Sequence, residues 1–236
     1  MPSIPRSPNH LLQALPTAEF EMLHPRLQLV ELVSETVLVE AGAPLSHVYL
    51  PHSGAISIMV RLSSGQTVEV AMVGRDSVFG AEAAFDGGIS LTDAVVVLPG
   101  TASILAVADF QALVRRSAAF RAALARHEQA LLVLAQQSAA CNASHSVEPR
   151  LSRWLLRARD LCDSETLPLT QEFLAQLMGV QRNAVSIVAH ALQQAGIISY
   201  SRGHIDITNV DGLRETACEC YDAVRAHHQR LMNEAR

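Results

Sequence analysis

The chain has 236 residues, a formal net charge of −5, 49% hydrophobic and 17% charged residues. This is long enough for two modest domains with their own cores and too apolar for a disordered chain. The charge excludes a protein coated in positive charge, though not a local basic patch, and no apolar run reaches the roughly 18 residues a membrane span needs.

The first ten residues, Met1 to His10, are rich in proline and serine and lack the apolar stretch of a secretory signal. They read as a short disordered lead-in, and a cytoplasmic protein is expected. All four cysteines, Cys141, Cys162, Cys218 and Cys220, lie beyond residue 140. Their spacing matches no common zinc site, so idle thiols and no metal are expected. Cys218-x-Cys220 with His227 and His228 is a weak metal candidate.

Residues 28–112 carry short apolar runs separated by Gly, Pro, Asp or Ser: Thr36–Glu40, His47–Tyr49, Ala55–Leu62, Thr67–Val73, Ala94–Leu98 and Ala102–Val107. Gly65 marks a hairpin turn, and Gly42 and Gly54 mark tight turns. Alternation from Thr67 to Val70 fits a half-buried strand. Many short strands with frequent turns indicate an antiparallel roll, jelly-roll-like in character.

Asp109 is placed to cap a short helix. From Ser117 to Val147 there is neither Gly nor Pro, and Phe120, Leu124, His127, Leu131, Leu134, Ser138, Cys141 and His145 recur at alternating spacings of four and three. Such a heptad stripe predicts a two-stranded dimer seam, with Ala135, Ala139, Ala140 and Ala143 allowing close approach. Pro149 ends that helix and begins the next, which places Leu151, Trp154, Leu155, Leu156 and Leu161 in a second core. The division expected is a roll over 1–112, a dimerisation helix over 113–146 and a second domain over 147–236.

Thr170–Ile198 is the most informative stretch. Thr170 caps a helix with Phe173, Leu174 and Leu177 on its apolar face, and Gly179 supplies the left-handed residue of a tight corner filled by Val180. A second helix from about Gln181 turns Val185, Val188, Ala189 and Leu192 inward and ends at Gly196. Two short helices joined by a Gly-containing turn form a helix-turn-helix. Ile198–Ile207, with Gly203 at its tip, adds a wing. Arg182 is the expected base-reading residue, since its planar fork matches the two major-groove acceptors of guanine. Gln181 and Asn183 carry amides that can read adenine or reach phosphate, Ser186 lies four residues beyond Arg182 on the same face, and Thr170, Arg202 and His204 are placed for backbone contacts. Arg150, Arg153, Arg157 and Arg159, with Arg182, form the expected basic patch. No nucleophile–base pair with an orienting group and no phosphate-binding Gly-rich loop is evident, so an enzyme is not expected. Asp76 and Asp86 read as turn residues.

With these motifs in place, the chain resembles the Crp/Fnr family. VYLPHSGAISIMVRLSSGQTVEVAMVGRDSVFG resembles the family's cyclic-nucleotide-binding roll, HSVEPRLSRWLL the start of its DNA-binding domain, and LTQEFLAQLMGVQRNAV its helix-turn-helix. The fold implied is α+β: an N-terminal antiparallel β-roll, a long dimerisation helix and a C-terminal winged helix-turn-helix. The resemblance also implies a homodimer on an inverted-repeat DNA site, with half-sites about one turn apart, and contact with RNA polymerase. It implies a phosphate cassette in Phe79–Val97, where nucleotide-binding members place a Phe-x-Gly, a Glu for the ribose and an Arg for the phosphate. Here Gly80 is kept, Val78 stands at the Phe position, Ala81 at the Glu position with Glu82 beside it, and Leu91 or Thr92 near the Arg position. Backbone N–H groups at Gly80–Ala83 remain as anion donors. On the long helix, Ala135 and Gln136 replace the hydroxyl residues that would meet the base. Without the arginine, cyclic AMP is expected to bind weakly or not at all, and no cofactor is identified. The alternative is a cyclic-nucleotide-responsive regulator with a divergent cassette. The N-terminal cysteines of the family's iron–sulfur branch are missing.

Overall fold

The structure is a computed structural model that describes residues 7–84, 88–162 and 164–233. Asp86 lies outside them, as do Met1–Arg6 of the expected lead-in. Residues 7–10 pack into the fold. Asn9 is fully buried: its Oδ1 accepts from the Leu11 and Leu12 N–H groups, and its Nδ2 donates to the Pro51 and Ser77 carbonyls. It caps α1 (His10–Gln13), which with α2 (Thr17–Leu23) supplies Leu11, Leu12, Phe20 and Leu23 to the core.

Seven strands build the roll: β1 (Gln28–Leu32), β2 (Val37–Val39), β3 (His47–Pro51), β4 (Ala55–Arg61), β5 (Thr67–Val73), β6 (Asp93–Leu98) and β7 (Gly100–Ala106). They pair antiparallel in two sheets, ordered β1-β7-β3 and β2-β6-β4-β5. Leu32, Val39, Ile56, Val73, Phe79, Val96 and Ala102 belong to one buried cluster of the roll. β4 and β5 form the hairpin expected about Gly65, but β5 does not alternate: Thr67 to Val70 are all half-buried. The reason is tertiary, because helices cover the hairpin from outside.

α3 (Val107–Arg116) follows. Asp109 sits in its first turn and does not cap it; the carboxylate pairs instead with Arg26. Ser117 caps α4 (Ala118–Ser144), accepting from the Phe120 N–H. At 27 residues α4 is roughly 40 Å long. After a break at His145–Ser146 come α5 (Val147–Cys162), β8 (Thr166–Leu167), α6 (Gln171–Met178), α7 (Arg182–Gln194), β9 (Ile198–Ser201), β10 (His204–Ile207), α8 (Val210–Thr216) and α9 (Cys220–Asn233). The order β8-β10-β9 makes the wing a three-stranded sheet, one strand more than expected.

The predicted seam needs correction. Phe120 and Leu124 are buried in this chain's own core with Val48, Leu50 and Phe110. His127 is buried, its Nε2 facing Ser77 Oγ at 2.8 Å and accepting from the Val78 N–H. Leu131 packs against the roll, and Leu134, Ser138 and Cys141 are buried on the side that α9 covers. The stripe therefore faces inward, because α4 is apolar on both sides and the bulkier side meets the roll. The face left open carries Ala122, Ala125, Gln129, Leu132, Gln136, Ala139 and Ala143, again at spacings of three and four.

The second core expected for the C-terminal half is not separate. Leu151, Trp154, Leu155 and Leu161 share one buried cluster with Ala55, Met59, Met72, Val97 and Leu98 of the roll. Polar contacts seal the joint: Trp154 Nε1 donates to Glu69 Oε1 (2.8 Å), Gln66 Nε2 to the Gly179 carbonyl (3.1 Å), and Arg157 binds Asp76 through two bonds of 2.7 and 3.1 Å.

Candidate nucleic-acid interface

Local chemistry sets the helix-turn-helix. Thr170 Oγ1 accepts from the Phe173 N–H and starts α6. Gly179 ends it at φ 65°, in the left-handed region that a side chain disfavours. A Cβ there would also lie 2.8 Å from Val68 of the roll. Leu174, Leu177, Val185, Ala189 and Leu192 close the pair of helices from within.

Gln181, Arg182 and Asn183 stand exposed at the start of α7. Arg182 is 65% exposed, with its Nε 3.5 Å from Glu172 Oε2. Ser186 lies one turn on but is half-buried, and its hydroxyl donates to Gln171 Oε1 at 2.6 Å, locking α7 to α6. Ile187, 71% exposed, belongs to the open surface of α7. The helical period puts this apolar residue outward, a signal that the sequence reading passed over. Its methyls suit contact with thymine. At the wing tip Arg202 (φ 47°) and Gly203 (φ 81°) both have positive φ, the geometry of a two-residue hairpin turn. Arg202, His204 and Thr170 are exposed.

The expected basic patch is not one surface. Arg150 is buried and donates to the Met178 carbonyl, Arg157 holds Asp76, and Arg159 binds Glu165. Asp76 is accordingly an ion-pair partner and not a turn residue alone. Arg157 and Arg159 instead line a cavity of about 480 Å³ between α4, α5, α9 and the loop after β5, together with Arg75, Arg153, Asp160 and Tyr221.

The cassette residues do not line that cavity. Phe79, Gly80, Ala81 and Ala83 are buried in the fold; the Phe79 N–H and carbonyl pair with Tyr49, and the Ala83 N–H bonds to the Gly80 carbonyl. Those N–H groups of residues 79 and 83 are thus already used. Leu91 is 86% exposed and Thr92 half-buried, while Ala135 is half-buried and Gln136 lies on the open face of α4. Burial raises the pKa of Glu82, and the nearby Glu128 carboxylate adds to this. The neighbourhood is acidic where an anion would need a cation.

Cys218 and Cys220 do not meet His227 and His228 as the sequence reading allowed. His228 Nε2 lies 3.8 Å from Asp76 Oδ2 and His227 bonds to Arg230, whereas the two cysteines meet Cys141 and His145.

Two family models match the chain: the cyclic nucleotide-binding domain over residues 29–117 and the Crp-like helix-turn-helix domain over residues 149–216. No curated protein sequence matches significantly. Among solved structures, FixK2 from Bradyrhizobium japonicum is similar at 17% identity and TM-score 0.67, covering 81% of this chain and 98% of its own. TTHB099, a CRP-family transcriptional regulator from Thermus thermophilus, gives 17% identity and TM-score 0.66 over 80% of this chain and 96% of its own. CLP, a c-di-GMP-responsive global regulator from Xanthomonas campestris, gives 15% identity and TM-score 0.59 over 81% of this chain and 99% of its own. With a cyclic nucleotide-binding domain followed by a Crp-like helix-turn-helix, in a fold shared with those structures, the chain belongs to the Crp/Fnr family of transcription regulators.

Proposed function

We propose that the protein acts as a homodimer in the cytoplasm and binds an inverted-repeat DNA operator, with α7 of each subunit in a major groove. The observation that carries this reading is the exposed run Gln181–Arg182–Asn183 at the start of α7, with Ile187 on the helix's open surface and the exposed wing tip at Arg202. Arg182 reads a base, Gln181 and Asn183 read or position, and Arg202, His204 and Thr170 hold phosphates. Ser186 supports this surface through Gln171. The dimer forms along Ala122, Ala125, Gln129, Leu132, Gln136, Ala139 and Ala143, where small side chains let two copies of α4 approach closely. No described helix is long and apolar enough to cross a membrane. Contact with RNA polymerase accompanies DNA binding, as the family resemblance implies.

Cyclic AMP is not the effector in the family's usual manner, because the cassette lacks an arginine and Glu82 and Glu128 stand near it. A solved structure of the same fold is described as responsive to c-di-GMP, so the fold serves other effectors too. The test is to select bound fragments from genomic DNA with the purified protein and sequence them. A recurring inverted repeat is expected. Arg182→Ala should lose roughly 1–3 kcal/mol of base discrimination per half-site. Equal binding of operator and scrambled DNA by the unaltered protein refutes the reading. A calorimetric titration showing micromolar cyclic AMP affinity refutes the statement about the effector.

A further inference from the structure

Four side chains outside the DNA-facing surface meet where the long helix ends. Cys141 and His145 are one turn apart at the C-terminal end of α4, and Cys218 and Cys220 flank the start of α9. The three sulfurs and a histidine ring nitrogen all lie within 4.8 Å of one another. Cys141 Sγ is 3.5 Å from Cys218 Sγ, and Cys220 Sγ is 3.7 Å from His145 Nδ1. The cysteines are 0%, 7% and 1% exposed, in the order Cys141, Cys218, Cys220.

These distances identify the kind of ligand. Zinc bound tetrahedrally at ~2.3 Å from sulfur and ~2.0–2.1 Å from nitrogen holds its ligand atoms about 3.5–3.8 Å apart. The Cys141–Cys218 and Cys220–His145 separations fall in that range, and the remaining ligand pairs lie within 4.8 Å. A polynuclear iron–sulfur cluster spreads its ligand sulfurs over different metal atoms and needs a wider cradle.

The surroundings are those of a built site. Glu219 Oε2 lies 3.3 Å from His145 Nε2, the carboxylate–histidine pairing that fixes a ligating ring. Gln137 Nε2 donates to Cys220 Sγ at 3.0 Å. Three thiolates and a divalent ion leave one negative charge, and Arg153 supplies a positive one nearby. The Arg153 guanidinium acts electrostatically on Cys141. The Nε atoms of Arg150 and Arg153 are buried without a partner.

We propose that Cys141, His145, Cys218 and Cys220 form a Cys3His site for a single divalent thiophilic cation, zinc by its ligand set, which ties the last helix to the end of α4. All four ligands fall outside the matched segments 29–117 and 149–216. The whole helix-turn-helix lies in the chain between His145 and Cys218, so the ion closes it into a loop anchored on α4. Binding transfers the thiol protons to solvent as metal–sulfur bonds form, with no change of oxidation state.

The test uses the full chain, purified anaerobically with its thiols reduced, and needs no DNA, so it stands or falls apart from the proposed operator binding. Elemental analysis should give one zinc per chain. The apoprotein loaded with Co²⁺ should show thiolate-to-cobalt charge transfer and the intense visible bands of tetrahedral cobalt. Cys218→Ser and Cys141→Ser should weaken zinc binding more than about 100-fold, Glu219→Gln about 10–100-fold, and Cys162→Ser not at all. Circular dichroism checks that each variant is folded, and the cobalt spectrum of the unaltered protein is decisive without any variant. Reduced protein that takes up neither metal, an octahedral cobalt spectrum, or an iron–sulfur chromophore with stoichiometric sulfide overturns the proposal.

Discussion

Replacing Glu69 with glutamine removes a negative charge from the joint between the roll and the helix-turn-helix; the amide oxygen still accepts from Trp154, and the Ser57 hydroxyl turns to accept from the amide nitrogen. The residue as a whole is half-buried, but its carboxyl end is enclosed: Oε1 accepts from Trp154 Nε1 at 2.8 Å and Oε2 from Ser57 Oγ at 2.7 Å. Burial pushes its pKa from 4.5 to about 7, and the two hydrogen bonds with Arg153 and Arg157 offset only part of the rise. The folded state therefore holds this proton more tightly than the unfolded chain. The resulting stability is fully present below pH ~4.5 and is lost as pH rises through about 7. At ~1.4 kcal/mol per unit, the shift gives a ceiling of roughly 3 kcal/mol at pH 8. Glutamine does not titrate, so Glu69→Gln should stabilise the protein at pH 8 by up to that amount. This raises the melting temperature by roughly 6–12 °C for a chain of this size and changes little at pH 4.5. Thermal melts at half-unit steps of pH measure it. A gain of equal size at pH 4.5 and pH 8, or a loss at pH 8, refutes the reasoning.

Asp76→Asn strips the half-buried Arg157 of its carboxylate partner and should cost up to roughly 3–5 kcal/mol at pH 7 in urea unfolding. Burial alone would raise the Asp76 pKa, but Arg157 holds it at about 2, so the pair's stability is present above pH ~3.8 and fades as pH falls through about 2. A cost below ~1 kcal/mol at pH 7 contradicts this. Leu132→Glu should give a monomer in sedimentation with an unchanged core, whereas Leu131→Glu should lower the melting temperature, because Leu131 packs against the roll. Gly179→Ala should cost about 2 kcal/mol from its left-handed backbone and the approach to Val68, and Val68→Ala should recover part of it. No recovery would mean that the roll does not press on that corner.

What could be read from the sequence was what neighbours in the chain decide. Thr170, Gly179 and the turn at Arg202–Gly203 each act on residues within a few positions, so the helix-turn-helix and wing could be located. The inner side of α4 could not. Phe120–Leu124–His127 and Ala122–Ala125–Gln129 are both regular stripes, and only the roll's position selects between them. The arginines of α5 show the same limit: a run of positive charge is identical in sequence whether it meets phosphate or, like Arg157, a buried carboxylate. The thiol cluster was hidden because Cys141 and Cys218 approach only through folding. Asn9 was hidden because its partners, Pro51 and Ser77, are equally remote in the chain.

Because Trp154, Leu155 and Leu161 share a buried cluster with Met59, Met72 and Leu98, the C-terminal half is not a detachable reading head. A fragment cut at residue 147 would carry a raw oily surface into water and would tend to stick to others of its kind. For the same reason, swinging the DNA-reading helices away from the roll would mean parting a dry seam rather than flexing a tether, which favours two discrete postures over a graded sweep.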